Sequence, residues 1–166
     1  GLRERYRDRD LKGLLPVDSI GGGYCMIVNS LAVREDTLPD EKLFFGLEEF
    51  DFCHRVKQSG YRVCVSGELM YRYRKLNNKL GIEKRPSLVP RRNVHQLHRE
   101  YYSYRNGIYL MLHKYDKRRL AVKYSIRALG KMAFGFLKGP VYGAKNADFL
   151  SRALVHGWLG KMGKRL

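Results

Sequence analysis

Apolar residues change their rhythm twice along this chain. Over residues 1–75 they come in short clusters. Tyr24-Cys25-Met26-Ile27-Val28, directly after Gly21-Gly22-Gly23, is a compact apolar run that predicts a buried strand. Residues 47–59 predict a helix, stopped by Gly60 where a C′ glycine belongs. Residues 61–65 and 69–73 predict two strands about a Ser66-Gly67 turn. Over 76–93 the pattern is lost, and Asn77-Asn78, Gly81, Pro86 and Pro90 predict a linker. From 94 to 160 the period becomes helical. Tyr101, Tyr104, Ile108, Met111 and Tyr115 form one series, Val122, Ile126, Leu129, Ala133 and Phe136 a second, and Leu150, Leu154 and Gly157-Trp158 a third. No internal repeat is evident.

At 166 residues the chain is long enough for one core. Charge adds a direction: 33 Lys plus Arg against 16 Asp plus Glu leave a formal net charge of +17. Residues 117–166 hold twelve bases and one acid, Asp148, so this last third carries +11 of the excess. Such a surface seeks polyanions: nucleic acid, anionic lipid or phosphorylated substrates. The cysteines Cys25, Cys53 and Cys64 lie among apolar neighbours without a C-x-x-C spacing, as reduced buried thiols of a cytosolic protein would. No signal peptide is visible, and no apolar run approaches the ~18 residues that span a bilayer, so any membrane attachment is expected to be peripheral.

The candidate chemistry sits at the start of the 47–59 helix. On a helical wheel Phe50, Phe52, Cys53 and Val56 share an arc that also holds Glu49, while Glu48, Asp51 and Arg55 lie opposite. An i,i+4 ion pair accounts for Asp51 and Arg55, and acids in a first turn complement the helix dipole. Neither accounts for Glu49. A carboxylate among apolar neighbours needs a partner or a raised pKa, and a raised pKa is what a general base requires.

These residues fall in a larger pattern. Gly21-Gly22-Gly23-Tyr24-Cys25-Met26-Ile27-Val28 is followed by Phe44-Phe45-x-x-Glu48-Glu49-x-Asp51-Phe52-x-x-Arg55 and then Gly60-Tyr61-Arg62-Val63. Arg99-Glu100-Tyr101-Tyr102-Ser103-Tyr104-Arg105-Asn106 and the Gly-spaced basic stretch Leu154 to Lys164 come later. In this order the motifs resemble the second half of family-2 glycosyltransferases of GT-A fold, nearest to bacterial rhamnosyltransferase-like and galactofuranosyltransferase-like members. The likeness covers nearly all of residues 17–166.

The resemblance implies an α/β fold: a partial GT-A mixed sheet lacking the N-terminal donor-binding half, plus a helical C-terminal extension. The parts would be a charged leader over 1–16, the acceptor-side GT-A part over 17–75, the linker over 76–93 and a basic helical region over 94–166. By the same resemblance Glu49 is the general base that takes the acceptor hydroxyl proton during inverting transfer, although the family more usually has Asp there. Glu48 and Asp51 would orient acceptor hydroxyls or the helix start. Gly21, Gly22 and Gly23 would let the acceptor sugar approach the backbone, unless they are simply a tight turn. Arg55 belongs to the motif and is counted with the substrate-binding residues. Many relatives carry a metal-holding His after the acidic helix; residues 69–74 have none, and Arg72 is the candidate for neutralising diphosphate there, or a surface cation.

The family's nucleotide-binding half would lie upstream of Asp18 and end in a metal-binding Asp-x-Asp. Asp8-Arg9-Asp10 has those letters but reads as a solvated face too close to the Gly-rich strand. The chain is therefore expected to be one half of a transferase, natural or truncated. No cofactor or metal is expected in this chain itself, with Mg or Mn held largely by the other half. Expected partners are a nucleotide-sugar donor, a saccharide or lipid-linked acceptor and an anionic membrane surface. An unpaired sheet predicts self-association as well.

His95 and His98 have helical spacing that two metal ligands use, but lack a third donor and read as surface histidines. Tyr71-Arg72-Tyr73-Arg74-Lys75 interleaves rings and cations, as single-strand nucleic-acid binders do and as a half-buried strand also does. No RNP, KH or Cys/His finger pattern accompanies it. In the tail Arg119, Lys123, Arg127 and Lys131 repeat every four residues beside an apolar arc, and Trp158 follows in a second amphipathic segment. Together they predict binding to the cytoplasmic face of a bacterial membrane. A non-catalytic nucleic-acid-binding module, or a non-catalytic half that pairs with a separate donor-binding chain, are the rival readings.

Overall fold

The computed structural model describes residues 6–20, 26–81 and 96–165. They are α/β and mostly helical, in two compact units: the described residues of Gly1–Leu38 with Phe52–Arg85, and those of Pro39–Asp51 with Pro86–Leu166. The division falls inside the first helix, α1 (Glu48–Gln58).

In the first unit the described sheet has two short antiparallel strands, β1 (Leu14–Pro16) and β2 (Cys64–Ser66), in the register Leu14 to Ser66, Leu15 to Val65 and Pro16 to Cys64. Strand β1 lies within residues 1–16, where Arg9 and Asp10 are exposed and half-buried Asp8 pairs with Arg74 at 2.5 Å and accepts from the Gly81 N–H at 2.6 Å. Residues 69–73, expected as a strand, are not one. They belong to helix α2 (Gly67–Leu76). Local chemistry decides this. The Ser66 hydroxyl caps the helix by accepting from the Leu69 N–H, Glu68 stands in the first turn, and Arg74 and Lys75 in the last. Gly67 fits because a Cβ there would collide with the Lys12 backbone nitrogen.

Of the predicted 24–28 strand, Tyr24 and Cys25 lie outside the described residues, as do Gly21, Gly22, Gly23 and His95. Met26, Ile27 and Val28 are not in a strand, and Ile27 is 94 % exposed. Helix α1 is one residue shorter at each end than the sequence pattern suggests, and Gly60 follows it with φ +87°. Cys53 and Val56 are its buried apolar residues.

The second unit is the helical region expected from the 3.6-residue period: α3 (Leu97–Tyr109), a π-helical turn (Leu110–Lys114), α4 (Arg118–Gly135) and α5 (Pro140–Trp158). Its core joins Tyr101, Tyr102 and Tyr104 of α3 to Ala128 of α4 and to Leu150 and Ala153 of α5. A second cluster gathers Ile108, Met111 and Ala121, with Phe50 packed on it. Small residues let the helices approach. A Cβ on Gly157 of α5 would stand 3.0 Å from the Arg105 carbonyl oxygen, and one on Gly107 of α3 would collide with the Tyr124 ring.

Candidate functional site

The second unit contains the start of α1, so the acidic cluster can be built from its own residues. Ahead of it, Asp40 turns the chain: its carboxylate Oδ1 accepts from the Lys42 N–H at 3.0 Å. Phe45, Gly46 and Leu47 then stand consecutively in left-handed backbone, with φ of 57°, 100° and 73°. Only Gly46 takes this without a Cβ clash; the other two cost about 1–2 kcal/mol each.

Asn106 of α3 holds that turn. Its Nδ2 donates to the Gly46 carbonyl at 2.7 Å and to the Phe44 carbonyl at 3.4 Å. Its Oδ1 accepts from Arg105 Nε at 3.0 Å. Arg105 is fully buried, its guanidinium 4.8 Å from the Tyr102 ring centroid, and its Nη1 donates to the Gly163 carbonyl at 2.6 Å. Gly163 in turn donates its N–H to the Lys42 carbonyl at 3.2 Å. The segment before the acids, the Arg-Asn pair of α3 and the Gly-spaced basic terminus are thus one hydrogen-bonded assembly.

Within α1 the three acids separate. The helical wheel sets Asp51 opposite the apolar arc, yet the structure buries it completely. Its Oδ2 accepts from the Asp40 N–H at 2.7 Å and its Oδ1 from the Tyr115 hydroxyl at 2.5 Å. Asp40 extends the network, its Oδ2 accepting from the Tyr109 hydroxyl at 2.9 Å and pairing with Lys114 Nζ at 2.8 Å. Burial alone would raise the Asp40 pKa. The Lys114 hydrogen bond and charge, the Lys42 N–H and the Tyr109 hydroxyl outweigh it and hold the carboxyl below its ordinary 3.8. Glu49 is half-buried rather than enclosed among apolar side chains. Glu48 is half-buried too, and keeps its Oε2 out of solvent without a hydrogen-bond partner among the described residues.

Asp51 is therefore a fastening point, and Glu48 and Glu49 are the acids left at the helix start. Tyr109, Lys114 and Tyr115 escape sequence reasoning because a π-helical turn, which no residue pattern announces, sets Lys114 and Tyr115 toward Asp40 and Asp51. The polar tip of Tyr115, a residue that the helical period places in an apolar series, is the available signal.

Arg55 is half-buried in the first unit, and Arg72 is an exposed residue of α2. Of the basic row on α4, Arg119, Lys123 and Arg127 are exposed. Lys131 is not a free cation: its Nζ pairs with buried Glu100 at 3.0 Å and stands 5.3 Å over the Tyr104 ring. Trp158 donates its indole N–H to the Ser125 hydroxyl at 2.9 Å.

Among the described residues no group of three or more His, Cys, Asp or Glu is arranged to hold a metal ion. No described helix is long and apolar enough to cross a membrane. Comparison with protein-family models gives no match, and comparisons with curated proteins and with solved structures give none either.

Proposed function

We propose that this chain is the acceptor-side part of a GT-A glycosyltransferase that moves a sugar from a nucleotide-sugar to a saccharide or lipid-linked acceptor for cell-surface polysaccharide. The observation that carries the reading is the clamp at Arg105-Asn106. Residues from three of the segments that give the family resemblance, Phe44 and Gly46, Arg105 and Asn106, and Gly163, are far apart in sequence yet share one hydrogen-bonded assembly. An Arg-Asn pair on a tyrosine-rich helix needs a reason to hold a strained turn two residues ahead of an acidic pair. Fixing the position of a reacting carboxylate is such a reason.

In this reading Glu49 takes the proton from the acceptor hydroxyl as that oxygen attacks the anomeric carbon, and Glu48 orients the acceptor. Asp51 acts through the fold. A divalent cation, Mg or Mn, would be held largely by a donor-binding segment. The enzyme works at the cytoplasmic face of the membrane, bound peripherally, where lipid-linked acceptors are presented. The test is sugar transfer by the protein that carries this chain together with its upstream sequence, using radiolabelled nucleotide-sugars and a membrane lipid extract. Glu49→Gln should lower turnover by about 10²–10⁴-fold with donor binding intact.

A further inference from the structure

We propose that the outward side of α4, with the end of α5 that Trp158 fastens to it, is a docking face for an anionic lipid leaflet. The proposal deepens the peripheral-membrane part of the reading above and does not depend on Glu49. Helix α4 distributes its residues in an unusual way. Its buried residues are small, Ala121, Ala128 and Gly135. Its branched aliphatics face out: Val122, Ile126 and Leu129 are 45 %, 63 % and 54 % exposed. Spaced by four and three residues, they form one stripe. Arg119, Lys123 and Arg127 form a parallel row about a quarter-turn away, all exposed, and α4 contains no acid to offset them. The Trp158 bond to Ser125 brings a 41 % exposed indole to the edge of the stripe, and Val155 of α5 and Leu159 just after it are exposed as well.

Charge selects the occupant. A second copy of the chain would set the same cation row against an equally basic surface. A polynucleotide would satisfy the cations and leave the aliphatic stripe in water. An anionic leaflet satisfies both: aliphatic side chains enter the headgroup–acyl boundary, an indole sits at that depth, and the cations meet lipid phosphates. Lys131 is excluded from the lipid contacts because Glu100 neutralises it.

Trp158 is the chain's one tryptophan, so its fluorescence reports the face directly. The full chain should cosediment with vesicles of phosphatidylcholine plus phosphatidylglycerol at physiological salt, with a blue shift, and bind pure phosphatidylcholine weakly. Replacing Arg119, Lys123 and Arg127 together by Gln should weaken binding about 100-fold. Ile126→Asp should weaken it about tenfold or more with thermal unfolding unchanged. Unaltered vesicle binding by both variants would overturn the proposal. So would tighter binding to a random oligonucleotide than to vesicles, or a dimer that Ile126→Asp dissociates. Loss of vesicle binding with transfer to a water-soluble acceptor retained leaves the transferase reading standing. Normal vesicle binding by a protein that transfers no sugar leaves this face standing and removes the transferase reading.

Discussion

Tyr115→Phe is the cleanest probe of the division among the acids. It removes one hydroxyl and leaves the ring. The lost bond, 2.5 Å to a fully buried carboxylate, is charge-assisted. Such bonds contribute about 1.5–3 kcal/mol, so a destabilisation of about 2 kcal/mol is expected. Asp51→Ala removes two bonds of this class and leaves the Tyr115 hydroxyl and the Asp40 N–H without that acceptor. It also releases the cost of keeping a carboxylate out of water, so the net loss should be about 3 kcal/mol rather than the sum. Urea unfolding followed by far-UV circular dichroism measures both. At a slope of about 1–3 kcal/mol per molar, Tyr115→Phe should move the midpoint down by about 1 M. The double variant should show a coupling of about 2 kcal/mol. A Tyr115→Phe loss below about 0.5 kcal/mol, or additive variants, would refute Asp51 as a fastening point.

Asn106→Ala should cost about 2 kcal/mol, since two carbonyls of a strained turn lose their donor, and hydrogen exchange should quicken at residues 44–48. Lys131→Gln should destabilise by about 2 kcal/mol in thermal unfolding without changing vesicle binding, because its partner is buried Glu100. Asp40 has a depressed folded pKa, so its contribution is complete above the ordinary 3.8 and is lost as pH falls through the folded value. Acid titration should therefore unfold the helical unit below about pH 4, and Lys114→Gln should raise the midpoint. His156, which shares a 2.7 Å hydrogen bond with the Tyr101 hydroxyl, is held below its ordinary 6.5 by burial and by the charges of Arg165, Lys161, Arg105 and Arg152. Stability should fall as pH drops from 6.5 through that lowered value, and the fall should be smaller in His156→Gln.

Elements whose signals are local were legible in the sequence. Helix α1 carries its acidic first turn, its 3.6-residue period and its stop at Gly60, and it lies where those signals put it. Helices α3, α4 and α5 follow the same logic. Residues 69–73 deceived because alternating apolar and basic letters suit a strand, while the Ser66 cap that starts a helix is a single side chain. The burial of Asp51 was illegible because its partners Tyr115 and Asp40 come from a π-helical turn and a loop, neither of which a single-stripe wheel contains. The outer stripe of α4 was visible as apolar, but not as outward. That required knowing that alanine and glycine, the weaker hydrophobic signals, take the buried side.

The proposed role of Glu49, at the end of a turn fixed by Arg105-Asn106, is to activate the acceptor. It is tested most directly by comparing Glu49→Gln with Tyr115→Phe in one transfer assay, with urea unfolding run on both proteins. Glu49→Gln should lose about 10²–10⁴-fold in turnover and less than about 0.5 kcal/mol in stability. Tyr115→Phe should show the reverse, a weakened fold with turnover largely kept where the protein remains folded. Near-normal transfer by Glu49→Gln would rule out Glu49 as the base.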